Sequence, residues 1–86
     1  MSWIRGANLW VRHGREQQAT IFIVRRKIGS AVTRNRLRRQ LRTICRWHRK
    51  DIPKSLVVFC QPSAPQAVFS DLEQELKALL SKLAAS

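Results

Sequence analysis

The order of hydrophobic and polar positions predicts three strands. Residues 7–12 predict a strand, with Leu9 and Val11 on one face and Asn8 and Trp10 on the other. After a polar turn over residues 14–18, residues 20–24 are β-branched and aromatic, and residues 56–60 form an unbroken apolar run. We expect residues 20–24 to form a buried strand beside the first strand and residues 56–60 to form a central strand.

A long amphipathic helix is predicted over residues 31–49. Five residues at helical spacing fall within an arc of roughly 100° and form its apolar face, and Pro53 prevents further helical continuation. The apolar positions are Leu37, Leu41, Ile44, Cys45 and His48.

A second helix closes the chain. Ser70 followed by Glu73 has the spacing of a capping box that opens a helix, and leucines at helical spacing provide its buried face. The order strand, strand, helix, strand, helix predicts an α+β fold, a two-layer α/β sandwich forming one domain over residues 1–86. The first helix is then a crossover, which allows the second and third strands to run parallel.

Charge changes this picture, because it is concentrated in one segment. The 86 residues carry 17 Lys+Arg against 5 Asp+Glu, a net charge of +12. Residues 25–50 hold eleven of these cations and no carboxylate. A solvated helix face usually mixes both signs, so this excess predicts a polyanionic partner, with nucleic acid ahead of an anionic membrane surface.

Composition excludes other classes of protein. No apolar run approaches the roughly 18 residues of a membrane span, and no secretory signal pattern opens the chain. Two cysteines give no disulfide framework and fit a reduced, cytoplasmic setting.

Cys45 and His48 are three positions apart, but they lie on the apolar face and match no zinc signature, so we expect them to pack in the core. No catalytic constellation is present, and we assign no catalytic residue and no metal ligand.

Residues 25–42 resemble the protein subunit of bacterial ribonuclease P. That family has a basic strand end, a glycine, an Ala-Val pair and an Arg-Asn-Arg motif on a long helix, and the similarity extends over about residues 20–83. The matching positions are Lys27, Gly29, Ala31, Val32, Arg34, Asn35, Arg36, Arg38, Arg39 and Arg42.

The resemblance implies a role in an RNA-based endoribonuclease. In that family, an RNA subunit with bound Mg²⁺ removes the 5′ leader of precursor tRNA, and the protein, a monomer outside the complex, holds the RNA subunit and the leader. The implied fold is that of the second domain of ribosomal protein S5, with a left-handed β-α-β crossover. The resemblance implies that Arg34, Asn35, Arg36, Arg38, Arg39 and Arg42 contact the RNA subunit. We add the basic residues Arg26, Lys27 and Arg46 of the same segment to the predicted RNA-binding set.

Two departures from the family pattern affect the expected leader site. The family normally has an N-terminal helix with an aromatic residue before the first strand, which we do not expect here because that strand follows Met1 almost directly. Thr43 also stands where an acidic residue is usual. Trp10 and Phe22 are candidates to stack on leader bases, with core packing as the alternative for both. Trp47, on the polar flank of the helix, is open to either an RNA or a helper protein.

Three other functions remain as alternatives. A small ribosomal or structural RNA-binding protein would share the charge and the fold but would not promote cleavage. A basic amphipathic helix can also bind anionic membranes, although its apolar face is then unavailable to cover the sheet. DNA binding lacks a recognised motif or a dimerisation element in this sequence.

Overall fold

The computed structural model describes residues 3–15 and 19–85. It has four strands, two α-helices and three short 3₁₀ turns at Arg26–Ile28, Arg49–Asp51 and Ala64–Gln66. The predicted turn over residues 14–18 lies partly outside the described residues. The strands and helices are β1 (Ile4–Arg5), β2 (Leu9–His13), β3 (Thr20–Ile23), α1 (Ala31–Trp47), β4 (Leu56–Cys60) and α2 (Phe69–Ala85).

The strands form one mixed sheet in the order β1-β2-β4-β3. β4 is central, as predicted, and pairs antiparallel with β2 and parallel with β3. The prediction that β3 lies beside β2 is wrong. β4 is apolar at every position and suits the centre of the sheet, whereas Thr20 and Ile21 of β3 are exposed at the edge. β1 was not predicted, because two residues carry no periodic signal.

Both helices cover the same face of the sheet, which confirms the two-layer α+β fold. The core joins buried residues of α1 and α2 to alternate residues of β2 and β4. The parallel pairing of β3 with β4 across α1 agrees with the expected crossover, and its left-handed sense stays a prediction. Fully buried side chains include Leu9, Val11, Leu37, Leu41, Ile44, Leu56, Val58, Leu72 and Leu76.

The helix ends differ from the predicted ones. α1 begins after Ser30, whose hydroxyl accepts a hydrogen bond from the Thr33 amide at 3.3 Å, and it ends at Trp47. α2 begins at Phe69, so Ser70 lies inside the helix and the predicted capping box is wrong. Glu73 instead places Oε2 2.7 Å from Nε2 of His48, a tertiary contact that joins the two helices.

Another carboxylate of α2 fixes the start of β2. Glu75 Oε2 accepts hydrogen bonds from the backbone amides of Asn8 at 2.8 Å and Leu9 at 2.6 Å. Its Oε1 accepts one from Asn8 Nδ2 at 2.9 Å. Gly6 lies against the same carboxylate, since a Cβ there would be 2.5 Å from Glu75 Oε2. This network fixes the position of α2 relative to the start of β2.

The two cysteines are free thiols shielded by the fold. Cys45 packs against the core, as predicted, and burial raises its pKa to about 11. Burial also raises the pKa of Cys60 to about 12, and the Arg38 charge opposes this rise.

We expect both thiols to resist alkylation in the folded protein. At pH 8, a rise in pKa from 9.0 to about 11 lowers the thiolate fraction about 100-fold, and the thiolate is the reacting species. Iodoacetamide labelling followed by mass spectrometry should show slow modification of the native protein and rapid modification in denaturant. Equal rates in both states would contradict the burial described.

Candidate nucleic-acid interface

α1 separates an apolar face from a strongly basic one. Leu37, Leu41 and Ile44 are buried against the sheet and α2, which confirms the predicted core side of the helix. The opposite side is exposed and rich in guanidinium groups. We call this surface the arginine face, defined by Asn35, Arg36, Arg39, Arg42 and Arg46.

The cations of the arginine face have no acidic partners. Within residues 3–15 and 19–85, no carboxylate oxygen lies within 4.0 Å of a lysine or arginine nitrogen. The first turn of α1 also has no acidic residue, although a helix N-terminus favours negative charge. Uncompensated like charges repel each other, and an anionic partner relieves that repulsion. Guanidinium groups are well suited to phosphate, which they can bind with two parallel hydrogen bonds.

Two arginines of the predicted set are also used within the fold. Arg34 is half-buried, and its Nε donates to the Gly29 carbonyl at 3.3 Å. Arg38 is half-buried as well, with Nη1 3.5 Å from Asn35 Oδ1. Each keeps further guanidinium donors for a ligand, so these residues combine a local structural contact with the predicted role.

The short 3₁₀ turn before α1 extends the basic surface. Arg26 and Lys27 lie on this turn and are exposed, while Ile28 packs against the core and anchors the turn. The predicted RNA-binding residues therefore lie on one continuous segment, from this turn to the last turn of α1.

The uncovered side of the sheet carries a cluster of aromatic rings. Trp3, Trp10 and Phe59 are mutually in contact, with ring centroids between 5.5 and 6.3 Å apart. Arginines lie over all three rings, at 4.7 Å for Arg5 on Trp10, 5.0 Å for Arg12 on Trp3 and 4.7 Å for Arg25 on Phe59. We call these six residues the aromatic face. Rings with adjacent cations provide both stacking and phosphate contacts for a single strand.

Trp10 and Phe22 lie on opposite sides of the sheet. Trp10 pairs with Phe59 on the uncovered side. Phe22 pairs with Val58 and packs against the core, so the structure favours the core-packing alternative for it. The sequence did not single out Phe59, because an unbroken apolar run has no alternation to show which side chains face outward.

A pocket of about 170 Å³ lies at the end of β4, lined in part by Arg25, Lys27, Phe59 and Gln61. Gln61 Nε2 is buried and has no hydrogen-bond partner among the residues with described positions. The pocket thus places cationic side chains and an aromatic ring beside the aromatic face.

The described residues do not form a metal site. They contain no group of three or more His, Cys, Asp or Glu side chains placed to hold an ion. In the same parts of the chain, no helix is long and apolar enough to cross a membrane.

Comparison with known proteins connects these features to one family. Residues 5–84 match the family model described as Ribonuclease P. The chain is 44% identical over 64 residues to the ribonuclease P protein component of Acidothermus cellulolyticus, covering 72% of this chain and 53% of that protein. It is 43% identical over 62 residues to that of Thermus scotoductus, covering 71% of this chain and 37% of the relative. The chain thus spans about half or less of these relatives' length.

Solved structures agree with the sequence comparison. The RNase P protein of Thermotoga maritima superposes with a TM-score of 0.78 at 26% identity, covering 94% of this chain and 82% of that chain. The Staphylococcus aureus RNase P protein, at 20% identity and a TM-score of 0.75 over 93% of this chain and 78% of that one, shows the same fold. The basic segment on its two-layer scaffold and these matches together show that the chain belongs to the ribonuclease P protein family.

Proposed function

We propose that the protein binds the catalytic RNA of ribonuclease P and promotes removal of the 5′ leader from precursor tRNA. The arginine face carries this proposal, because its cations have no acidic partners among the described residues. Neutralising RNA phosphates there releases counterions and favours the complex. Bond cleavage belongs to the RNA, which would also hold most of the Mg²⁺. The protein then acts in the cytoplasm as a monomer until it joins the RNA.

The aromatic face is our proposed site for the leader. Arg5, Arg12 and Arg25 lie over the rings of the free protein. When a single-stranded leader binds, these guanidinium groups would move onto its phosphates and free Trp10 and Phe59 to stack on its bases. The protein would therefore contact its two RNA partners through different surfaces.

The direct test is cleavage of precursor tRNA by the cognate catalytic RNA, with and without the protein. We expect stimulation to be greatest at low Mg²⁺ and moderate salt, where protein cations replace scarce counterions. A structural RNA-binding protein would bind the catalytic RNA without stimulating cleavage. Binding without stimulation at any Mg²⁺ concentration would therefore reject the proposed function and favour that alternative.

The membrane alternative conflicts with the packing of α1. Leu37, Leu41 and Ile44 are at most 1% exposed, because they cover the sheet and contact α2. A helix bound to a membrane surface inserts its apolar face into the lipid. This helix can do so only if the domain unfolds.

Trp10→Leu should weaken binding of precursor tRNA through its leader. Leucine keeps apolar volume beside Phe59 but removes the stacking surface, and base stacking is worth about 1–3 kcal/mol per base. We expect roughly a 5- to 150-fold loss of affinity of the assembled enzyme for precursor tRNA. Affinity for mature tRNA, which has no leader, should not change. An equal loss for both substrates would show that Trp10 does not act through the leader.

A further inference from the structure

Trp47 lies at the C-terminal end of the arginine face and is 60% exposed. Among the described residues, it is the only aromatic side chain with such exposure. Its indole ring makes a T-shaped contact with Phe69 at the start of α2, with 5.3 Å between centroids and 71° between planes. This contact orients the ring while most of its surface remains open to solvent.

A groove of about 500 Å³ lies beside this ring. Besides Trp47, its lining contains three cations, one carboxylate and His48, whose imidazole contacts Glu73. The lining residues are Arg46, Trp47, His48, Arg49, Lys50 and Asp51. We call this site the Trp47 groove.

The Trp47 groove continues the arginine face. Arg46 belongs to both surfaces, and Arg42 lies one helical turn before it. An RNA strand that follows the arginine face therefore reaches this groove without leaving the protein surface. The excess of cations favours an anionic partner over a neutral or basic protein.

We propose that the Trp47 groove binds one unpaired nucleotide of the catalytic RNA. The base stacks on the open surface of Trp47, and the neighbouring phosphates contact Arg46, Arg49 and Lys50. The inference rests on the proposed binding of catalytic RNA by α1 and adds a stacking contact with a base to the phosphate contacts. Stacking on an oriented aromatic ring needs little further ordering of the protein, which favours affinity.

Substitution of Trp47 tests the type of contact. Trp47→Leu and Trp47→Ala should each weaken binding of the catalytic RNA about 5- to 150-fold at fixed salt. Trp47→Phe should retain most of the affinity, since it keeps a stacking ring. The dependence of affinity on salt should be the same in all three variants, because no cation is removed. A Trp47→Leu variant that binds as tightly as the unmodified protein would overturn the proposal.

Val68→Ala is the matched control. Val68 is 59% exposed beside Phe69 but does not line the Trp47 groove. Normal RNA affinity of Val68→Ala supports stacking at Trp47. Equal losses for Val68→Ala and Trp47→Leu would instead indicate a general apolar docking surface and overturn the proposal.

Fluorescence tests the same contact with Trp47 intact. In a Trp3→Phe/Trp10→Phe variant, Trp47 is the only emitter, and binding of the catalytic RNA should quench its emission with a 1:1 endpoint. If the RNA binds saturably in a gel-shift assay but the emission of Trp47 does not change, the proposed role of the Trp47 groove is overturned while the proposed function is not. No binding by the unmodified protein would instead reject the proposed function, so the two failures are distinguishable.

Discussion

Replacing Arg36, Arg39 and Arg42 together with alanine should weaken binding of the catalytic RNA by roughly 1000-fold or more. All three are exposed on the arginine face, and each charge-assisted hydrogen bond to phosphate contributes about 1.5–3 kcal/mol. The slope of log affinity against log salt should also fall by about two to three, since three fewer phosphates are neutralised. Filter binding across a salt series measures both quantities.

A matched control separates surface position from total charge. Lys54, Lys77 and Lys82 are exposed and lie outside α1, and their triple alanine variant removes the same number of charges. We expect this control to retain nearly all of the RNA affinity. Equal losses in the two triple variants would mean that net charge, rather than the arginine face, determines binding.

Leu41→Ala should have the opposite effect, lowering stability without altering the RNA contacts. Leu41 is 0% exposed in the centre of the core-facing side of α1, and leucine-to-alanine changes in cores cost about 2–5 kcal/mol. Each kcal/mol lowers the Tm of a domain of this size by about 4–8 °C. Thermal unfolding followed by circular dichroism should show this loss.

Val32→Ala on the same helix provides the comparison, because Val32 is 79% exposed. We expect its Tm to stay close to that of the unmodified protein. At temperatures where the Leu41→Ala variant remains folded, we expect that variant to bind RNA as tightly as the unmodified protein. Strong destabilisation by Val32→Ala with little effect of Leu41→Ala would mean that the two faces of α1 are exchanged.

The sequence predicted α1 well because its information is local and periodic. Leu37, Leu41 and Ile44 recur at helical spacing, so the apolar side and the basic side follow directly from the pattern. The arginine face could therefore be predicted before the fold was known. The partial burial of Arg34 and Arg38 could not, since it depends on which parts of the folded chain pack beside them.

The aromatic face and the strand order depend on long-range pairing. Phe59 and Phe22 lie in apolar runs, and only the register with β2 and β3 shows that Phe59 faces outward while Phe22 faces the core. The spacing of Ser70 and Glu73 is compatible with a local helix cap, but it is equally compatible with a tertiary contact made by Glu73. In the folded chain, His48 lies beside Glu73 and the tertiary contact forms.

Tethered hydroxyl-radical cleavage tests the central claim that different surfaces hold the two RNA partners. An iron chelate can be attached to one introduced cysteine at a time, since Cys45 and Cys60 are shielded by the fold. Suitable sites are exposed and lie outside the predicted contacts: Val32→Cys on α1, Ile21→Cys on the uncovered side of the sheet, and Lys82→Cys on α2.

In the assembled complex with precursor tRNA, we expect the Val32 probe to cut the catalytic RNA and the Ile21 probe to cut the 5′ leader. The Lys82 probe should cut neither RNA. Cleavage of the catalytic RNA from Lys82 but not from Val32, or of the leader from Val32 but not from Ile21, would contradict this arrangement.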